Sequence, residues 1–137
     1  MNEVDAAITQ LLTSDATCMS IATEVCNTVG AQDTQFPFYI FSKTPRRDED
    51  GQTFTGRAFR RLEYIVKAVD TGLSKDRAQQ MADNADAVLN DCRPTIGGWD
   101  VQHWRRIGSV DYMVTAPYVA TNEIHIGGIY EITLIKE

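Results

Sequence analysis

The sequence places apolar residues at helical spacing in two segments, with strand-like alternation between and after them. The first helical segment runs from about Asn2 to Thr13, and the second runs from Ser74 to about Asn90. The stripe residues are Val4, Ala7, Ile8, Leu11 and Leu12 in the first, and Ala78, Met81, Ala82, Ala85, Val88 and Leu89 in the second. A single apolar stripe is typical of a helix that packs against one face of a sheet.

Five further segments have the residue types and alternation of β-strands. They are Phe36–Phe41, a long segment from Arg57 that ends at Thr71-Gly72, Trp99–Arg106, Val110–Tyr118 and Ile124–Ile135. The last segment is apolar on both faces, which favours a central position in the sheet or a partner. Its Gly127-Gly128 pair indicates a bulge or a close backbone approach. Residues 14–28 fit either a short helix or an irregular strand.

This order of elements predicts an α+β fold. Strands that follow one another along the chain usually pair antiparallel, and two amphipathic helices can cover one face of their sheet. We therefore expect a two-layer sandwich, with a mainly antiparallel sheet and two helices packed on one face. The length of 137 residues suits a single domain over 1–137, and no repeat or linker divides it.

The net charge of −6 limits the partners that the chain can take. A surface this acidic does not favour wide contact with a phosphate backbone or an anionic membrane. The sequence has no apolar run near the ~20 residues of a spanning helix and begins without the pattern of a secretion signal. We expect a soluble protein made in a cytoplasm, with no membrane partner.

A polar stretch from Lys43 to Gly56 is predicted to be a long hairpin loop, and loops of this length are usually functional or mobile. Its run Asp48-Glu49-Asp50-Gly51 begins like a calcium loop. The twelfth position is Phe59, however, where such a loop needs a glutamate. A solvated loop tip is the better interpretation.

Residues that could carry catalysis are few. His103 and His125 are the only histidines, and neither accompanies a nucleophile motif. The three cysteines fit neither a disulfide framework nor a zinc pair and are expected to be small buried side chains. The arginines at 57, 60, 61, 105 and 106 fit salt-bridged strand faces or subunit contacts. The residues themselves predict no catalytic site, no cofactor and no metal.

An ordered set of features resembles a known family. They are the helix Val4–Leu12, the segment Phe36–Ile40, the charged hairpin ending near Gly56, the strand Arg61–Val66, the Ala-rich helix Ala78–Leu89 and the closing Gly127–Ile132. In this arrangement the chain is similar to the tail terminator proteins of long-tailed bacteriophages, also called tail completion or tail-to-head joining proteins.

The resemblance implies a non-enzymatic virion protein of the tail or neck, assembled in the host cytoplasm. Members form a ring, typically a hexamer, that caps the tail tube, ends its polymerisation and joins the tail to the head connector. The implied partners are other copies of the chain, the tail-tube protein and a head-closure or connector protein, with DNA passing through the lumen without specific binding. The hairpin then supplies the expected contacts to a neighbour or the tube, through Arg46, Arg47, Asp48, Glu49, Asp50 and Phe54.

Three other functions stay open at this point. The first is another phage neck or tail-tube component, which would share small β-rich subunits. The second is a small hydrolase, which would need Asp100, His103, Asp111 or His125 to converge in one pocket. The third is a regulatory binding domain, which would show a concave apolar pocket in place of a flat charged rim.

Overall fold

The helices and strands follow the predicted order, with two short additions near the start and with two of the last three predicted strands joined into one. The computed structural model describes residues 2–28, 35–52, 56–72, 74–115 and 122–137, and only the backbone of residues 2, 46–49 and 52. The elements are α1 (Asn2–Ser14), α2 (Ala16–Met19), β1 (Val25–Asn27), β2 (Phe38–Gln52), β3 (Ala58–Thr71), α3 (Asp76–Leu89), β4 (Trp99–Val114) and β5 (Glu123–Lys136). None of the helices in this part of the chain is long and apolar enough to cross a membrane.

The strands form one five-stranded sheet in the order β1-β2-β3-β5-β4. The pairs β2–β3, β3–β5 and β4–β5 are antiparallel, whereas the short β1 lies parallel to β2. Strand β5 therefore lies between β3 and β4 although it is last in chain order. It is an inner strand, with apolar Tyr130, Ile132 and Leu134 in the core on the face that the helices cover.

The helices pack on one face of the sheet, which we call the helix face; the opposite side is the open face. The main core joins apolar side chains of all three helices to Tyr39, Phe41, Leu62, Tyr64 and Tyr130 of the sheet. This arrangement confirms the predicted two-layer α+β sandwich. It also contains a third helix, α2, which has only four residues.

The hydroxyls of three buried tyrosines tie the two layers together. They donate hydrogen bonds from Tyr39 to the Met81 carbonyl at 2.7 Å, from Tyr64 to Asp5 at 2.6 Å and from Tyr130 to Asp86 at 2.8 Å. A buried hydroxyl without a partner would cost free energy, so each bond also makes the ring's burial possible. These tyrosines fix the helices over the sheet and act in its stability.

Residues 14–28 combine both structures that the sequence left open. Asp15 precedes α2 and accepts a hydrogen bond from the Thr17 backbone N–H at 3.2 Å, which caps the helix. After α2 the chain extends into β1. The helical turn and the short strand together place Cys18 and Cys26 in buried positions.

The prediction of a loop from Lys43 to Gly56 is wrong over most of this range, because most of these residues belong to a strand. Strand β2 continues to Gln52, and its residues 48–52 pair with residues 58–62 of β3 after an irregularity between Lys43 and Asp48. The polar composition of residues 43–56 is typical of a loop, and the sequence of this segment alone does not reveal that it has a partner strand. Here β3 supplies backbone hydrogen bonds and a charged cross-strand neighbour, which suit an extended polar segment.

The two strands predicted at Trp99–Arg106 and Val110–Tyr118 are one continuous strand. β4 runs from Trp99 to Val114, with register shifts between Val101 and His103 and between Arg106 and Gly108. Each shift absorbs a residue without ending the strand, as β-bulges do. The predicted residues 116–118 lie outside the described part of the chain.

Gly127 marks a close backbone approach. A Cβ atom at Gly127 would lie 2.1 Å from the Val66 carbonyl oxygen and 2.5 Å from the Lys67 Cα. The register of β5 with β3 is unbroken through this point, so there is no bulge here. Of the two alternatives drawn from the glycine pair, the close approach is the one observed.

Candidate interaction surfaces

Most of the residues predicted to contact partners lie in a paired strand. Arg46, Arg47, Asp48 and Glu49 belong to the backbone of β2, and Phe54 lies outside the described residues. Asp50 faces Arg60 across the β2–β3 pair, and its carboxylate oxygen lies 2.7 Å from the Arg60 Nε. We call residues 48–52 and 58–62 the hairpin arm. Residues 48–50 of the charged run are therefore held by the sheet in a fixed register.

A cleft lies beside the hairpin arm. Its volume is about 350 Å³, and it is lined by Asp50, Gly51, Ala58, Phe59, Arg60, Trp99 and Lys136. The Lys136 ammonium lies 5.4 Å from the centre of the Trp99 ring, a cation–π distance. This lining is charged and aromatic at its rim, with neither a nucleophile nor an acid–base pair. The cleft fits contact with a macromolecule better than chemistry.

Charged side chains also cross the middle of the open face. Glu63 of β3 and Glu131 of β5 are direct cross-strand neighbours, and Arg105 of β4 faces Glu131. Glu63 is only 2% exposed and accepts a hydrogen bond from the Thr44 hydroxyl at 2.6 Å. The His103 Nε2 lies 3.9 Å from a Glu131 carboxylate oxygen. Glu131 therefore has a basic neighbour, Arg105, on its β4 side and a second acid, Glu63, on its β3 side.

A second polar group lies on the open face beside β4, and we call it the edge cluster. The Lys67 ammonium donates to the Tyr112 hydroxyl at 2.6 Å, and the Tyr112 ring stacks on His125 with centroids 4.6 Å apart. The His125 Nε2 lies 3.2 Å from a Glu123 carboxylate oxygen. Burial lowers the pKa of His125, the Lys67 charge lowers it further, and Glu123 only partly opposes both. The imidazole is therefore neutral near pH 7.

Sequence reasoning did not find the edge cluster. Its members come from three different strands, and no sequence motif accompanies His125. The signal that could have found it is the pairing of β3, β5 and β4, which brings Val69, His125 and Tyr112 into one row. Without that register, 45 residues separate Lys67 from its hydrogen-bond partner Tyr112.

Strand β4 also carries exposed apolar side chains. Ile107, Tyr112, Met113 and Val114 are each 41–44% exposed, and they are the large hydrophobic residues that the described part of the chain leaves most open. We call residues 107–114 the β4 edge segment, because β4 is an outer strand of the sheet. Contiguous apolar exposure on a sheet edge is typical of a contact surface.

The residues that a hydrolase would need are not brought together. His103 faces Thr133 of β5 and His125 faces Tyr112, so eight residues of β5, roughly 25 Å, separate the two imidazoles. Asp111 is instead held by the Lys75 ammonium at 3.0 Å. In the described residues no group of three or more His, Cys, Asp or Glu side chains could hold a metal ion.

The buried reactive groups have structural roles. Burial raises the pKa of both the Cys18 and Cys92 thiols to about 12, which keeps them protonated and poorly nucleophilic. Asp70 is 2% exposed and accepts two hydrogen bonds from Arg77, at 2.8 and 2.6 Å. Burial opposes its ionisation, but the bonds from Arg77 and the Thr71 N–H outweigh this and lower its pKa.

Solved structures share this fold. A chain in the virion of a native gene transfer agent particle matches with a TM-score of 0.76 and 14% sequence identity, over 96% of this chain and 94% of that chain. A second solved chain matches with a TM-score of 0.57 and 20% identity, over 99% of this chain and 94% of its own length. No protein-family model and no curated protein matches the sequence. At these identities the likeness establishes a common two-layer α+β fold.

Proposed function

We propose that this chain is a structural protein of a phage-like virion that forms a ring on the end of the tail tube. In this role it ends tube polymerisation and joins the tail to the head connector. The observation that carries the proposal is the fold shared, over nearly the whole of both chains, with a protein of a gene transfer agent virion. The sequence resemblance to tail terminators points to the same class independently.

The surfaces of the molecule support an assembly role. Its sheet ends in two unlike edges, the short β1 and the long β4. A ring of identical subunits with head-to-tail contacts needs two different, complementary surfaces on each copy. The charged and apolar groups found outside the core lie on the hairpin arm, the open face and the β4 edge segment, where partners could reach them.

Charge also supports the proposed lumen. The net charge of −6 repels a phosphate backbone, so DNA could pass through a ring of such subunits without adhering. Non-specific passage needs no base contacts. The proposed hexamer would therefore hold DNA only by enclosing it.

The hairpin arm supplies the proposed contact to a neighbouring copy or to the tube. Residues 46–50 are part of a paired strand, so deleting them would shift the register of β2 and confuse assembly with folding. Substituting Arg46 and Arg47 with Glu tests the part of β2 that leads into the arm without this problem. We expect weaker attachment to tubes and an unchanged melting temperature, with Asp83→Lys on the exposed side of α3 as the control. Attachment at wild-type strength would rule out these arginines as contacts.

A polymerisation assay tests the function itself. Purified tail-tube protein is allowed to assemble with and without this chain, and tube lengths are measured by electron microscopy. We expect the chain to be found at tube ends and to stop growth. Tubes that incorporate the chain along their length would show a tube component instead, and tubes that grow unchanged without binding it would overturn the proposal.

A further inference from the structure

We propose that copies of this chain join edge to edge, with the β4 edge segment of one copy paired antiparallel to β1 of the next. The inference rests on the proposed ring and names the surfaces that would close it. Three features support it. The β4 edge segment has few of the residues that normally prevent strand pairing, the register of the sheet aligns β1 with the β4 edge segment, and opposite charges lie near these two strands.

The β4 edge segment has few of the devices that normally prevent edge pairing. Register shifts occur earlier in β4, but the pairing from Gly108 to Val114 is regular. The segment contains no proline and no lysine, and its one charged residue, Asp111, is bound by Lys75. Charges, prolines and bulges are the usual protection of an outer strand. A regular, apolar and exposed stretch of this kind is suited to accept another strand.

β1 and the β4 edge segment lie at the same position along the strand direction of the sheet. The register runs from Cys26 of β1 through Ile40, Lys67 and Gly127 to Val110 of β4. If neighbouring copies stand side by side without a shift along the strands, β1 faces the middle of the β4 edge segment.

Strand direction agrees with this arrangement. β1 runs parallel to β2, and each of the next three pairings reverses direction, so β4 runs opposite to β1. Copies that keep the same orientation around a ring therefore bring the two edges together as an antiparallel pair, which has the straighter hydrogen bonds.

The Lys67 ammonium of β3, which reaches the outer strand at Tyr112, is opposite in charge to the acidic residues near β1. Residues 1–42, which include α1 and β1, contain five acidic residues and no Lys, Arg or His. Glu24 is exposed and directly precedes β1, where its carbonyl accepts a hydrogen bond from the Tyr39 N–H. It therefore lies in the row that continues through Val69 and His125 to Tyr112.

Side-chain alternation puts Glu24 on the open face, the face of the edge cluster. Cys26, two residues later, packs with Phe38 and Val69 on that face. The Lys67 ammonium reaches the outer strand there, at the Tyr112 hydroxyl. In the proposed contact, Glu24 of one copy meets Lys67 and Tyr112 of the next. Because the edges are unlike, the contact repeats head to tail and can close into a ring.

A charge exchange tests this contact. The variants are Glu24→Lys, Lys67→Glu and the two combined, with Asp83→Lys on α3 as the control for the charge change in Glu24→Lys. Self-association is measured by sedimentation velocity over a concentration series, and rings are counted by electron microscopy with and without tail tubes. Thermal melting checks that each variant is folded. We expect each single reversal to weaken association by about tenfold, since like charges then face each other, and the combined variant to recover it.

The outcomes separate this inference from the proposed function. Rings that cap tubes but tolerate both single reversals as well as Asp83→Lys would overturn the edge contact and leave the function standing. Association that responds to the charge exchange, in a chain that fails to stop tube growth, would support the contact and overturn the function. A wild-type chain that stays monomeric in solution and on tubes would overturn both. If Lys67→Glu does not fold, Lys67→Gln and Glu24→Lys give the same comparison.

Discussion

The close approach of β5 to β3 at Gly127 predicts that a larger residue at this position destabilises the sheet. Replacing this glycine with alanine adds one methyl group, which would lie 2.1 Å from the Val66 carbonyl oxygen. Real Cβ contacts essentially never fall below 3.0 Å, so β3 and β5 must separate locally by about 1 Å. The contacts are backbone atoms of two inner strands, so no flexible side chain can move to make room.

The cost follows from what this separation disturbs. Forcing a methyl group into a packed interior costs about 1–3 kcal/mol. A shift of this size also stretches the adjacent β3–β5 hydrogen bonds, and each backbone bond contributes about 1 kcal/mol. We expect Gly127→Ala to lower the free energy of unfolding by about 3 kcal/mol, equivalent to about 10 °C in melting temperature for a chain of this length.

Urea denaturation and thermal melting, each followed by circular dichroism, measure the effect. Gly97→Ala is the matched control, because a Cβ at Gly97 would meet nothing within 4 Å. We expect that variant to melt within a degree or two of wild type. If Gly127→Ala melts as late as Gly97→Ala, the two strands do not approach as described, and the reasoning from the register of β5 fails with it.

Three further predictions concern buried titratable groups. Asp70→Asn should destabilise the protein by about 2 kcal/mol at pH 7, since it weakens charge-assisted hydrogen bonds. The folded-state pKa of Asp70 is lowered from 3.8, so urea titrations should show this difference shrinking as pH falls below that value, and a constant difference would contradict it. The His125 imidazole should titrate below pH 6.5 by NMR, and Lys67→Gln should raise its pKa; a value at or above 6.5 in wild type would contradict the burial described. Because the unfolded state binds this proton more readily, His125 also makes stability fall as pH drops below 6.5. Cys18 should resist iodoacetamide in the native protein and react after unfolding, as peptide mass spectrometry would show; rapid native labelling would refute its burial.

Local periodicity predicted the elements that pack against a single layer. The stripes that begin at Val4 and Ala78 gave the two long helices to within a few residues, because burial on one face leaves a clear 3.6-residue pattern. The alternation from Leu62 to Ala68 gave β3 in the same way. For these elements, the pattern of nearby residues in the sequence is enough to predict the secondary structure and the buried face.

Features set by distant strands could not be predicted in this way. Residues 48–50 of the charged run look like a loop by composition and form a strand because β3 pairs with them. The bulge between Arg106 and Gly108 allows β4 to continue through the gap between the two predicted strands. The edge cluster depends on the register of three strands, so its groups become neighbours only once the sheet is assembled.

The place of β5 has a consequence for the order of folding. During synthesis, β3 and β4 leave the ribosome before β5, so β3 has one unpaired backbone edge and β4, whose partner strand is β5, has two. The α3 stripe can pack loosely on the β2–β3 pair, but the sheet is complete only when residues 123–136 pair with β3 on one side and with β4 on the other. Such a chain completes its most buried strand last, and nascent copies on neighbouring ribosomes are exposed to mispairing through those unpaired edges until it does.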